Sequence, residues 1–418
     1  MAHARPGRAS SARGRPGAES RALGLALALA ALAPLSAPAQ SSGPRSLDEL
    51  KQETQLRADK NLQPMGGVHP EDVREALAGL GSLEPDAWAA AFSRIGDRNF
   101  AQARSEQATA PREAAQSYRR AWRVYNTARW PTESSPGKKR AYARALEAFQ
   151  AYGQLIDPPI EVVRIPFEGK EIVAYLRLPA SRPAPVLFGI SGLDTRKEDV
   201  ADTSDELLAR GIGLFAIDMP GTGQAPVKID VGSERMLSRA LEWLRQRKDV
   251  DPARIAVRGQ SWAGYWAALM AYKERDHIRG AVVHGVGIHG YFQPDWQRKG
   301  LATKEYLFDL FPARSAVYGT KTLEEFLAYG PRLSLLDLGY LDKPSAPMLL
   351  VNGEKDTQQP IADLYLMMKH GDPKHVWVNP SGGHMGRSPQ WPQGRIFREV
   401  VLPWIERVLA MPPQKPTN

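Results

Sequence analysis

Residues 254–270 read RIAVRGQSWAGYWAALM. A short apolar run ends at Val257, the pentad Gly259-Gln260-Ser261-Trp262-Ala263 follows, and an alanine- and aromatic-rich stretch continues. That order predicts a strand, a sharp turn and a helix, with a serine at the apex of the turn. Such a turn is usually G-x-S-x-G, because its backbone folds so tightly that the residues at −2 and +2 nearly touch. The demand is for small size. Gly259 meets it, Ala263 meets it with a single methyl group, and Gly264 follows directly. The triplet G-x-S recurs at Ser191 and Ser388, but Leu193 and Gln390 occupy their +2 places. A serine before a helix also reads as an ordinary cap, so the pentad alone assigns Ser261 no reaction.

Partners decide between those readings. A serine hydroxyl near neutral pH needs a base, and the base needs an orienting acid. Downstream, the apolar run 347–351 ends in Asn352-Gly353-Glu354-Lys355-Asp356. Asp356 therefore falls just past the C-terminal end of a strand, where sites assemble in parallel sheets. Glu354, two residues earlier in the turn, is the second choice. One helical and one strand pattern later comes Pro380-Ser381-Gly382-Gly383-His384-Met385-Gly386. Its glycines allow a bent loop that returns His384 to the sheet edge. Nucleophile, acid, base is the chain order this kind of turn requires.

The remaining polar candidates carry weaker signals. His277, His370 and His375 fall at helix ends or a strand start and read as surface or packing residues. His284 and His289 flank the end of a strand near Ser261; they are candidate pocket residues, with structural hydrogen bonding as the competing reading. A developing oxyanion would meet the Trp262 N–H at the helix N-terminus. A second donor fits the stretch Gly189-Ile190-Ser191-Gly192-Leu193-Asp194, where Gly192 permits a turn aiming the N–H of Leu193 or its neighbour inward. Gly221-Thr222-Gly223 lacks the spacing and lysine of a phosphate loop and reads as a tight turn. No close His/Asp/Glu spacing suits a metal, and neither metal nor cofactor is expected.

Around these motifs the chain has two textures. Residues 68–156 read as helices, started by Pro70, Pro85, Pro111 and Pro136,. Tyr118, Trp122 and Tyr125 share a face at i, i+4, i+7 spacing; they either face an aromatic substrate or form core. From residue 160, apolar runs alternate with helical patterns: 161–167, 171–178, 185–190, 212–217, 254–257, 281–286, 347–351 and 375–378. The first two form a hairpin around Glu168-Gly169-Lys170. Several of the others are continuously apolar, as strands buried on both faces should be. The expected fold is α/β: a doubly wound, mostly parallel sheet with an N-terminal helical lid domain. The catalytic domain is expected to span 157–412, with 291–340 as an insertion breaking the alternation above the sheet.

Composition sets the class. The chain has 418 residues, 43% hydrophobic and 24% charged, which is globular,. Of its formal charge of +9, residues 1–40 contribute four, from five arginines and Glu19, leaving +5 elsewhere. There is no dense Lys/Arg run, so nucleic acid is not an expected partner. Arginines, an apolar stretch over 22–35 and Ala37-Pro38-Ala39 resemble a secretory signal cleaved near Ala39. The stretch is short for a membrane span; an uncleaved anchor is the competing reading. Residues 1–39 are thus expected to be a signal peptide and 40–67 a linker, placing the mature chain outside the cell or in a periplasm, off the membrane. There are no cysteines, which excludes disulfides and a thiol nucleophile,.

Several stretches together resemble one α/β-hydrolase group, which includes 2,6-dihydroxypseudooxynicotine hydrolase, fungal polyketide-shortening hydrolases and FrsA-like esterases. They are the helical block, Ser191-Gly192-Leu193-Asp194-Thr195-Arg196-Lys197-Glu198, the pentad with Gly264, Gly353-Glu354-Lys355-Asp356 and Gly383-His384. The resemblance implies Ser261 as nucleophile, Asp356 as acid and His384 as base. Members cleave esters or a carbon–carbon bond beside a ketone. Two departures stand out: Ala263 where many relatives have glycine, and the secretory leader. The leading expectation is a serine hydrolase acting on a small ester or β-diketone-like molecule, with a homodimer left open. The competitors are an acylaminoacyl-type serine peptidase, which would carry a β-propeller, and a non-catalytic binding protein that kept the fold.

Overall fold

A computed structural model describes residues 45–411. The expected signal peptide lies outside the described residues. Five helices come first: α1 (Leu47–Asp59), α2 (Pro70–Ala78), α3 (Pro85–Glu106), α4 (Pro111–Arg129) and α5 (Pro136–Leu155). The last four begin on the prolines that predicted them, because proline presets a helical φ and lacks an N–H that the first turn could not use,. The first corrects the expected linker over 40–67. Ser46 and Glu49 close a capping box at its start, and Leu50, Thr54 and Ala58 bury one narrow stripe,. That stripe is too polar to stand out in the sequence.

The aromatic stripe of α4 faces inward. Tyr118 meets Phe100 of α3 with ring centroids 5.2 Å apart, and Trp122 meets Phe149 of α5 at 4.9 Å. Tyr118 and Tyr125 donate their hydroxyls to Gln107 and Asp97. All three candidate pocket aromatics are buried core residues of the helical block, because they lie on the apolar face of α4 that packs on α3 and α5,.

Eight strands follow: β1 (Glu161–Phe167), β2 (Lys170–Arg177), β3 (Ala184–Ile190), β4 (Gly213–Ile217), β5 (Val250–Gln260), β6 (Gly280–His284), β7 (Met348–Gly353) and β8 (His375–Asn379). They form one sheet in the order β1-β2-β4-β3-β5-β6-β7-β8. The β1/β2 and β2/β4 pairs are antiparallel and the rest parallel. Glu168 and Gly169, both at positive φ, make the two-residue turn of the expected hairpin, with Phe167 paired to Lys170,.

The central strands are apolar on both sides because both faces are covered. Phe188, Val257 and Leu350 point into one core with the helices α8 (Arg235–Arg245), α9 (Gly264–Lys273) and α13 (Ile361–Met368). Leu187, Ala256 and Leu349 point into the other, with α4, α5 and the last helix, Leu402–Ala410. The helical block is therefore a layer of the domain: Phe149 packs on Tyr175 of β2 at 5.2 Å. It reaches the insertion only at its edge. There Trp88 and Trp130 pack on Phe308, and Trp130 stacks on Tyr306.

Candidate active site

The strand β5 ends at Gln260 and α9 begins at Gly264, so Ser261 sits on the turn between them. Its φ is +55°, a left-handed conformation that costs a non-glycine residue roughly 1–3 kcal/mol and persists only where its surroundings enforce it,. The enforcement is visible. A Cβ on Gly259 would lie 1.9 Å from the Ala263 carbonyl oxygen, and one on Gly264 would lie 1.8 Å from the Gly285 carbonyl oxygen. Ala263 itself is fully buried with its methyl accommodated. The position that must be glycine on the helix side is thus 264, and alanine at 263 is no defect. Gln359 donates its Nε2 to the Ser261 carbonyl at 3.1 Å and ties the turn from the other side.

Strand ends supply the partners. The Ser261 Oγ is 2.7 Å from His384 Nε2, and His384 Nδ1 is 3.0 Å from Asp356 Oδ2. The other Asp356 oxygen accepts the backbone N–H groups of Gln358 and Gln359. Burial alone would push this carboxyl up, but the His384 imidazole and those donors hold it below its ordinary value, so it stays ionised,. With an acceptor carboxylate at Nδ1, the neutral imidazole keeps its proton there and presents Nε2 to the serine as a base. Glu354, the second choice for the acid, is exposed and accepts the Tyr365 hydroxyl instead.

The acid turn and the histidine loop are stitched together by backbone: Glu354 N–H to Asn379 O at 3.0 Å and Lys355 N–H to Gly382 O at 2.9 Å. Gly353 has to be glycine there, because a Cβ would lie 2.2 Å from the Gly383 oxygen. On the opposite side, a Cβ on Gly192 would stand 3.5 Å from the Ser261 Cβ, and Gly192 donates its own N–H to Thr195 Oγ1 at 2.8 Å. That N–H is engaged, which leaves Leu193 as the loop's candidate oxyanion donor beside Trp262.

His284 is no pocket residue. It is fully buried, with Nδ1 3.1 Å from Arg258 Nη2 and Nε2 3.0 Å from the Met385 carbonyl. A guanidinium can only donate, so Nδ1 must accept and the Nε2–H must donate to Met385. Burial, reinforced by Arg258, pushes the imidazole well below its usual range and keeps it neutral. Arg258 is itself buried, which lowers it to about 9. The relay Arg258–His284–Met385 thus holds the residue next to His384, which sits at φ +62°. His284→Leu leaves a donor and an acceptor unpaired, at about 1–3 kcal/mol each. The expected result is a lower urea midpoint and a kcat reduced about tenfold or more with KM little changed. His284→Gln, which can still donate to Met385, should recover most of the kcat. Unchanged kcat in the leucine variant would remove the relay from the site.

His289 stands further out and bonds Ser334 Oγ through Nδ1 at 2.7 Å. Its loop is fixed by Asp363, whose carboxylate accepts the N–H groups of residues 288–291. Gln359 and Asp363 were beyond motif reading, because they act on backbone atoms of segments remote in sequence, and so was Arg258, whose partner is a side chain on the next strand.

The strand order, the helices on both faces and the serine turn after β5 define a hydrolase of the α/β-hydrolase class. Residues 84–379 match the family model described as Esterase FrsA-like, and the chain belongs to that family. It is 25% identical over 347 residues to Esterase FrsA of Vibrio vulnificus (strain YJ016), covering 76% of this chain and 81% of that one. The alpha/beta hydrolase ucsC of an Acremonium species is 26% identical over 236 residues, 49% of this chain and 48% of that one. The chain thus spans about half of that fungal relative. Among solved structures, 2,6-dihydroxy-pseudo-oxynicotine hydrolase superposes with a TM-score of 0.70 at 19% identity, covering 87% of this chain and 98% of its own.

Proposed function

We propose that this protein is a serine esterase in which Ser261, His384 and Asp356 form the catalytic triad, acting on a small ester or a β-diketone-like substrate. The observation carrying this reading is the chain of two contacts, 2.7 Å and 3.0 Å, from the Ser261 hydroxyl through His384 to a buried carboxylate. As the Ser261 Oγ bonds to the substrate carbonyl carbon, His384 Nε2 takes its proton and the carbonyl π pair moves to oxygen. The N–H groups of Trp262 and Leu193 stabilise that oxyanion. Collapse re-forms the carbonyl and breaks the bond to the leaving group, an alkoxide or an enolate carbon, which receives the His384 proton. Water then repeats the sequence on the acyl-enzyme. The Asp356 carboxylate orients the imidazole and offsets its positive charge.

A fluorophosphonate probe tests the assignment. The wild type should label covalently and Ser261→Ala should not; equal labelling of the two would end it. Among substrates, hydrolysis of aryl esters is expected ahead of aromatic β-diketones, in keeping with the family description. The peptidase alternative loses ground because the described residues before β1 are helical and hold no propeller strands. The binding-protein alternative is displaced by membership of an esterase family.

The partner proposed is a small-molecule substrate, with no nucleic acid and no cofactor, and the homodimer remains a proposal for size-exclusion measurement. Secretion or periplasmic placement is likewise proposed, on the signal-like pattern over residues 1–39,. No described helix is long and apolar enough to cross a membrane. N-terminal sequencing of the mature chain should begin near residue 40.

A further inference from the structure

Arg387, three residues beyond His384, is held in an unusual way. Its Nε donates to the His384 carbonyl at 3.0 Å, and its two terminal nitrogens make no hydrogen bond or ion pair among the described residues. Other arginines near the site direct their terminal nitrogens to protein partners. Arg57 bonds Glu53, the Gln63 carbonyl and the Glu305 carbonyl, and Arg196 forms a fork with Glu133. Arg314 reaches Gln297 and Gln358.

The guanidinium lies within the electrostatic reach of residues of the site, anchored through Nε to the carbonyl of His384. Burial pushes the guanidinium down, while Glu305, Asp194 and Asp356 are near enough to act on it in the opposite sense. Asp356 belongs to the proposed triad, and Asp194 follows directly on Leu193. Glu305 lies 3.8 Å from where a Cβ of Gly383 would stand. These residues come from three walls around Ser261: the β3 loop, the insertion and the acid turn. Neither Asp194 nor Glu305 is within ion-pair distance of Arg387, because each is turned to another donor. Asp194 accepts the Trp130 indole N–H at 3.3 Å, and Glu305 accepts the Thr357 hydroxyl.

Resting on the esterase reading above, we propose that Arg387 is the specificity residue of this site and that its free guanidinium fork binds a carboxylate carried by the substrate. A guanidinium presents parallel N–H donors matched to two carboxylate oxygens, and a bond between charged partners is about twice as strong as a neutral one. In a partly desolvated site such a pair discriminates strongly against a substrate that lacks the anion.

The test compares three esters on the full chain: 4-nitrophenyl butyrate, the mono-4-nitrophenyl ester of succinic acid, and 3-carboxyphenyl butyrate. The second carries the carboxylate on the acyl side and the third on the leaving side. The wild type should favour one charged ester over the neutral one in kcat/KM, and that preference identifies the side. Arg387→Met should lower kcat/KM for the favoured ester by about 30-fold more than for 4-nitrophenyl butyrate, the range expected for a charged hydrogen-bonded pair, because loss of the Nε bond to the His384 carbonyl affects both esters alike. Arg387→Lys, which keeps the charge but not the fork, should fall between. Glu305→Gln, which removes a nearby negative charge, should strengthen the preference. A wild type that favours the neutral ester, or a methionine variant that loses all three activities alike, overturns the assignment. Fluorophosphonate labelling separates the two failures. A labelled wild type without charge preference defeats only the Arg387 assignment, whereas an unlabelled wild type defeats the serine-esterase reading beneath it.

Discussion

Ser261→Ala and His384→Ala are each expected to lower kcat by about 10⁴-fold or more, with the double variant no slower than the slower single one. In the proposed mechanism Ser261 acts as a nucleophile only while His384 removes its proton, so once either is gone the other has no step to accelerate. Additive losses would mean that the two side chains contribute separately, and the contact of 2.7 Å between them would then be structural,. Asp356→Asn is expected to be milder, at about 10³–10⁴-fold, because it leaves the imidazole in place but in the wrong tautomer. Steady-state kinetics on an aryl ester measures all four variants. Circular dichroism spectra matching the wild type show that the losses are chemical. Residual activity should be the same in both single alanine variants, since what remains comes from the oxyanion donors and binding.

The parts of this site that were legible in the sequence share one property: local chemistry dictates them. Proline at a helix start, a glycine two residues before a serine, and an acid just past an apolar run each restrict the backbone or the fold within a few residues. That is why α2 to α5 begin on the expected prolines and why Ser261, Asp356 and His384 could be named from their order. Long-range partnerships left no such mark. The spacing of Tyr118, Trp122 and Tyr125 fits a core and a ligand-facing stripe equally well, and only the positions of Phe100 and Phe149 decide it. His284 lay near the right strand end, but its neighbour Met385 is 101 positions away. Helix α1 escaped because its buried stripe is only three residues in thirteen. The helical block was expected to fold over the sheet as a lid; it covers one face of the sheet, a role encoded as much in Tyr175 as in the block itself.

Gly264→Ala is expected to be far more damaging than Ala263→Gly, although the serine-turn pattern names position 263 and not 264. At 264 the added methyl would stand 1.8 Å from the Gly285 carbonyl oxygen and 3.0 Å from its carbon. Both atoms are backbone of Gly285 just past β6, and Gly264 itself starts a helix packed on the sheet, so no flexible side chain can move aside. Overpacking a rigid interior costs typically 1–3 kcal/mol, and a backbone clash this close belongs at or above the top of that range. Relief requires α9 to lift from β6, which carries Ser261 away from His384. Soluble yield, melting temperature and ester hydrolysis should therefore fall together. Ala263→Gly removes one buried methyl and adds backbone freedom at the helix start, a cost of about 1–2 kcal/mol. It should leave the 2.7 Å contact between Ser261 and His384 in place, with kcat within a few-fold of the wild type. Thermal melts of the two variants decide the matter. Equal stability would mean that the close approach of Gly264 to Gly285 is absent in solution, and the enforcement of the strained Ser261 backbone would have to come from Gly259 and Gln359 alone.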